Sequence, residues 1–288
     1  MAEGSTRASL ALIGPGRAGA TVALALVARG YTVTSVAGRA PDAPSTVATA
    51  ACLDAKPVFV SKAGRKAGIV IIATPDAAIE ATAVAVAPSL TRNALVVHLA
   101  GSFGIGVFAP MLELRPDARV AALHPLQSLP SVSLGLDRLP GSWAAIAGDA
   151  QVQELADALE LRTFTLPDDQ RARYHATAVV ASNHLVALLG QVERLAAAAG
   201  VPFEAFAPLA EASLMNAFGL GARAALTGPV SRGDLATVVD HLRELPPSER
   251  DAYRALAREA ARLADNRDSA IDRLLADVLP SDPVEPGE

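Results

Sequence analysis

Gly14-Pro15-Gly16-Arg17-Ala18-Gly19 follows an apolar run, Leu10–Ile13, and opens an Ala-rich helical stretch. A G-x-G-x-x-G hexapeptide in that setting commits the chain to a strand–turn–helix unit with a nucleotide at its tip. Gly14 allows the tight turn, Gly16 lets the backbone approach a pyrophosphate, and Gly19 lets the helix pack closely on the strand. Pro15 belongs to the same cradle. Arg17 and Ala18 begin the helix, where free N–H groups and the positive dipole end face the phosphates.

The unit is the first of several. Apolar runs at Leu10–Ile13, Thr32–Ala37, Ile69–Ala73, Leu95–His98, Val120–Leu123 and Trp143–Ala147 read as strands, with a further short one at Arg162–Leu166. Most are continuous rather than alternating, the pattern of strands buried on both faces of a parallel sheet. Helices fit between them at Ala18–Arg29, Ala77–Ala87, Val107–Leu114 and Val152–Leu161. The expected fold is α/β: an N-terminal doubly wound, parallel-sheet Rossmann domain over residues 1–167, followed by an all-helical domain.

The change comes at Pro167-Asp168-Asp169, which suits a helix start. No proline interrupts Gln170–Ala199, and Gly200-Val201-Pro202 ends the run. That spacing predicts one helix of about 30 residues, roughly 45 Å long. Further helices are expected at Phe203–Phe218, Arg232–Leu245 and Ser248–Val278, so residues 168–280 form the helical substrate and dimerisation domain, and 281–288 a tail. One layer cannot cover so long an apolar helix, so a homodimer through this domain is expected.

Of the 288 residues 51% are hydrophobic and 19% charged, which excludes a disordered chain. The net charge of −5 argues against nucleic acid or an anionic membrane as partner. Cys52 is the only cysteine, so no disulfide framework or cysteine metal site is possible within one chain, and a cytoplasmic protein is expected. The polar N-terminus does not read as a secretory signal. Asn93–Leu112 lacks charge but contains His98, Gly101, Gly104, Gly106 and Pro110, so a strand, a turn and a short helix fit it better than a membrane span.

The end of the second strand selects the nucleotide. Val36-Ala37-Gly38-Arg39 stands where an NAD-binding chain places an acid, and Arg39 suits a ribose 2′-phosphate, so NADP(H) is the expected cofactor. Thr74-Pro75 and His98 end two further strands on the ligand-binding edge and are expected to wall the cofactor. His124 ends another strand, with Pro125 fixing the chain behind it, and is the expected catalytic acid/base. Ser128, in the same loop, is assigned to the substrate.

The long helical stretch carries His175, Ser182, Asn183 and His184. On an ideal helix His175 and Asn183 project about 80° apart, and His175 and His184 project to opposite sides. Asn183 is assigned with His175 to catalysis and also to the substrate. In Leu226–Asp234, Ser231 is expected to cap the next helix, with Arg232 and Asp234 in its first turn. An arginine is out of place there, which points to Arg232 as an anion contact. No acidic ligand pattern accompanies the histidines, so no metal is expected. The lysines, Lys56, Lys62 and Lys66, all lie in the first half, so no lysine of the helical half can act as proton donor. Neither Tyr174 nor Tyr253 has a lysine four residues on, which excludes a short-chain dehydrogenase dyad.

GPGRAG at 14–19, HPLQSL at 124–129, YHATAVVASNHLVALL at 174–189 and LTGPVSRGD at 226–234 together resemble a bacterial family with a Rossmann-like domain followed by a helical domain of unknown function. That resemblance implies kinship with dimeric NADP-dependent reductases, some linked to ketopantoate reduction. His124-Pro125 is also similar to the His-Pro of prephenate dehydrogenases, where the histidine handles the substrate hydroxyl proton. The expected function is an NADPH-dependent oxidoreductase acting on CH-OH groups and reducing a small 2-oxo acid, ketopantoate first. Two alternatives stand beside it: a non-catalytic NADP(H)-binding regulator, and a nucleotide-dependent methyltransferase, for which the residue at Arg39 should be acidic.

Overall fold

A computed structural model describes residues 7–264 and Leu275. The expected tail at 281–288 and the end of the helix expected to reach Val278 lie outside the described residues. The chain divides into two compact units, Met1–Ser182 and Asn183–Glu288.

The first unit is built on strands β1 (Leu10–Ile13), β2 (Val33–Ala37), β3 (Lys56–Pro57), β4 (Ile69–Ile72), β5 (Leu95–His98), β6 (Arg119–Leu126), β7 (Trp143–Gly148) and β8 (Arg162–Thr165). They form one sheet in the order β3-β2-β1-β4-β5-β6-β7-β8. The first six follow the order of a doubly wound dinucleotide fold, with the topological switch between β1 and β4. β1 to β6 are parallel, and β7 runs antiparallel to β6 with His124 opposite Ala145, so the sheet is mixed rather than wholly parallel. An apolar run signals burial but carries no direction, so the reversal could not be read from the sequence.

The period-2 alternation of strands divides the core into two layers. Leu10, Leu12, Ile69, Ile71, Leu95 and Val97 face one cluster, and Ala11, Ile13, Val70, Ile72 and Val96 face the other. The first is covered by α1 (Arg17–Ala28), through Val22 and Leu26, and by α7 (Gln151–Ala158), through Val152 and Leu155. The second is covered by α3 (Val60–Ala63), α4 (Ile79–Val86) and α5 (Ala109–Leu114). Both faces of the sheet are therefore shielded from water, as continuous Ile and Val runs require. Three helices of this unit fall outside the expected set, α2 (Pro44–Cys52), α3 and α6 (Val132–Arg138). Gly135 of α6 lies so close to α1 that a Cβ would stand 2.6 Å from Thr21 Oγ1.

The expected 30-residue helix is divided. α8 (Arg171–Val179) is followed by a π-helical turn, Val180–His184, and then by α9 (Leu185–Ala198). A π turn closes on five residues instead of four, so angles counted along an ideal helix from His175 to Asn183 do not hold past Val179. α8 belongs to the first unit, whereas α9 belongs to the second.

The second unit continues with α10 (Ala207–Leu220), α11 (Ala222–Ala225), α12 (Pro229–Arg232), α13 (Leu235–Glu244) and α14 (Pro247–Leu263). Val230, Val238, Leu242, Ala257 and Ala261 form its core. The Arg194 guanidinium of α9 grips Glu249 of α14 at 2.6 and 3.0 Å and holds that carboxyl below its ordinary range. At Leu226–Asp234 the cap differs from expectation. Asp234, not Ser231, caps α13, accepting the Thr237 N–H at 3.2 Å, and Arg232 lies in the last turn of α12. A cation suits that helix end, so the misfit argument for Arg232 falls away.

Candidate functional site

Gly14 follows β1 with φ +95°, and a Cβ there would stand 2.5 Å from the Ala73 carbonyl, so only glycine lets this loop pass the end of β4. A Cβ on Gly19 would stand 2.3 Å from the Gly14 carbonyl oxygen, which fixes how closely α1 rides on the turn. At Gly16 a Cβ would meet nothing within 4 Å. That residue borders open space at the head of α1, where no side chain caps the helix and no acid occupies the first turn. The free N–H groups and positive helix end are thus available to an anion. Pro15 packs beside Gly38, Ala18 is exposed in the first turn, and Arg17 donates to the Pro130 carbonyl at 3.2 Å.

Arg39 is exposed just past β2. Thr74 and Pro75 follow β4, and the Thr74 Oγ1 is buried without a hydrogen-bond partner. The next loops are tied together, since Ser102, after β5, donates to Asp76.

His98 is fully buried at the end of β5. Its Nδ1 accepts the Ala100 N–H at 3.2 Å, so Nε2 carries the proton and donates to the Gly104 carbonyl at 3.2 Å. Both ring nitrogens are satisfied in the neutral state, and burial pushes the imidazole down to about 4. The ring is engaged within its own loop and against Phe108, 5.4 Å away.

His124 sits on β6, and its Nδ1 is 2.7 Å from the Tyr174 hydroxyl of α8. The His175 ring lies 6.1 Å away, nearly perpendicular. Gly101 closes this group, for a Cβ there would come 2.8 Å from both His124 Nε2 and His175 Cδ2. Burial, aided by the neighbouring His175 and Arg171, pushes the His124 imidazole down to about 4, so it is neutral at pH 7. Burial pushes the Tyr174 phenol up to about 12.

Arg171, at the head of α8, is 1% exposed, and its Nε and both terminal nitrogens have no hydrogen-bond partner. The carboxylate before it, Asp168, is directed elsewhere. Its oxygens accept the Ile105 N–H at 3.2 Å and the Gly106 N–H at 3.0 Å.

His124 and His175 are therefore brought together. Tyr174, Gly101 and Arg171, which the sequence did not single out as site residues, surround or adjoin them. Ser128 is exposed on the loop after β6, while Asn183 and Arg232 belong to the second unit. Among the described residues no cluster of His, Cys, Asp and Glu could hold a metal ion, and no helix is long and apolar enough to cross a membrane. Tyr174 lies fifty positions from His124, beyond the reach of any local motif.

Residues 3–125 match the Rossmann-like domain, and residues 144–260 match a domain of unknown function, DUF2520. No curated protein matches the chain. Among solved structures, BF3122 of Bacteroides fragilis, provisionally described as an NADP oxidoreductase, superposes with a TM-score of 0.77 at 22% identity. The match covers 89% of this chain and 99% of that one. TM1727 of Thermotoga maritima gives a TM-score of 0.65 at 22% identity, over 90% and 98% of the two chains. The pyrroline carboxylate reductase of Plasmodium falciparum, solved with NADP bound, gives 0.59 at 11% identity, over 93% and 99%. At these identities the likeness concerns the fold. In order along the chain, the two matched segments are similar to a Rossmann-like domain and to DUF2520.

Proposed function

We propose that this protein is an NADPH-dependent oxidoreductase that reduces a small 2-oxo acid. One observation carries the reading: a glycine cradle with an uncapped helix start stands after β1 at the switch point of the sheet, and His124, paired with Tyr174 of α8, stands on β6 with β4 and β5 between. The residues fit the cofactor. Gly14, Pro15, Gly16, Arg17, Ala18 and Gly19 would hold the pyrophosphate, Arg39 the 2′-phosphate, and Thr74, Pro75 and the loop after His98 the ribose and nicotinamide side. The orphaned Thr74 hydroxyl is a ready donor for such a ligand. Several proteins of the same fold bear NADP-dependent or reductase names, which agrees with this assignment.

When bound, NADPH supplies a hydride to the carbonyl carbon. The chain's part is to place and protonate the oxygen. A phenol protonated at neutral pH donates to His124 Nδ1, which leaves the ring proton on Nε2. His124 would pass that Nε2 proton to the oxygen as negative charge develops while its Nδ1 takes the Tyr174 hydroxyl proton, the phenolate being reprotonated from solvent, with His175 beside it. General acid assistance of this kind contributes about 10²–10⁴-fold. Ser128 is the proposed substrate contact of the first unit, and a second copy of the chain the proposed partner. Ketopantoate is the first substrate to try.

The test is oxidation of NADPH, followed at 340 nm, across a panel of 2-oxo acids, with His124→Ala as control. Turnover of one or more acids, lost in the variant, is expected. Tight NADPH binding with no turnover of any acid would leave a non-catalytic NADP(H) binder instead, and binding of S-adenosylmethionine without NADPH a methyltransferase.

A further inference from the structure

We propose that Arg171 is the carboxylate receptor of this site, its guanidinium fork taking the acid group of the substrate beside His124 and Tyr174. The inference rests on the reading that the substrate is a small acid, and it names the residue that recognises it.

The geometry begins with α8. Arg171 and Tyr174 are three residues apart, so they share one face of the helix. Tyr174 reaches His124 Nδ1 at 2.7 Å, which shows where that face points. The Arg171 charge disfavours the protonated form of His98, His124 and Tyr174 alike. Yet none of its nitrogens has a hydrogen-bond partner, and the side chain is 1% exposed.

A buried cation without a partner is a costly arrangement, normally answered by a hydrogen-bonded anion. The available groups do not answer it. Asp168 exerts an attraction on Arg171 from a distance, but both its oxygens accept backbone N–H groups at Ile105 and Gly106. A Cβ on Gly104 would fall on the Asp168 carboxylate, so the chain has made room for that acid where it is. His98 and His124 are neutral and contribute no negative charge. The positive end of α8 adds to the excess. The missing partner is a planar oxyanion, and a guanidinium fork binds a carboxylate through two parallel hydrogen bonds. Its long, jointed stem lets the fork turn toward a ligand that enters beside Tyr174.

The probe is acetate, with acetamide as its uncharged isostere, titrated into the full chain at constant ionic strength while the ring resonances of His124 and Tyr174 are followed by NMR. Acetate should shift both signals to saturation and acetamide should not. Arg171→Gln should weaken acetate at least tenfold, Arg171→Lys less because it keeps the charge, and Arg173→Gln, an equal charge change at an exposed neighbour, not at all. Equal responses to acetate and acetamide in the unaltered protein would overturn the proposal, as would an acetate titration unchanged in Arg171→Gln. If Arg171→Gln does not fold, the acetate–acetamide contrast and Arg171→Lys decide. NADPH fluorescence in the same samples separates the two ideas. NADPH binding without an acetate response sinks the receptor alone, and an acetate response without NADPH binding sinks the oxidoreductase reading alone.

Discussion

Arg39 stands exposed just past β2, at the position that distinguishes the two nicotinamide dinucleotides. A charge-assisted hydrogen bond to a phosphate contributes about 1.5–3 kcal/mol. Arg39→Ala should therefore raise the Kd for NADPH roughly tenfold to a hundredfold and leave that for NADH nearly unchanged, as calorimetry would register. Equal losses for both would remove Arg39 from the 2′-phosphate. Gly101 works by what it lacks. An added methyl at 2.8 Å from His124 and His175 must push one ring aside, and overpacking of this kind costs about 1–3 kcal/mol. Gly101→Ala is expected to cut kcat at least tenfold while the NADPH Kd stays as it was; unchanged turnover would show that the two rings need not hold their present positions.

Among the elements, α10 has no buried residue, although it is largely apolar. Met215 is 69% and Phe218 82% exposed. Burying a side chain of this size contributes about 1.5–3 kcal/mol, and in a two-fold dimer each contact counts twice. Met215→Glu combined with Phe218→Asp should halve the mass seen by sedimentation equilibrium and leave the far-UV helix signal in place. A monomer before mutation would remove the proposed dimer, and a dimer that survives both changes would place its contact elsewhere than α10. The long helical stretch teaches a different lesson. Its apolar text and the lack of proline announced a helix, but the shift from four- to five-residue closure at Val180–His184 is a backbone hydrogen-bond choice with no side-chain signature. β3, two exposed residues, and α2, a run of small and polar ones, were silent because neither carries an apolar period.

For the molecule as a whole, the two depressed histidines set an acid limit. His98 and His124 titrate near 6.5 when unfolded and at about 4 in the fold. Between those values the unfolded chain binds more protons, so stability is full above roughly pH 6.5, falls as the pH drops toward 4, and levels off below. Each histidine accounts for about 3 kcal/mol. The urea midpoint should fall accordingly between pH 7 and 4.5, and His98→Asn should flatten about half of that slope. A midpoint constant over the range would mean that neither ring is held neutral by folding.

The sequence by itself determined the layered α/β unit, because a sheet shielded on both faces must be written as continuous apolar strands and because the tight first turn must be written in glycine. Tertiary structure alone decided that Tyr174 meets His124, that Gly101 must be bare, that Asp168 is spent on backbone N–H groups and that Arg171 is left unpaired. Those contacts join residues dozens of positions apart. No local period or spacing encodes them; they arise only when strands and helices stack and the ends of β5, β6 and α8 arrive in one place.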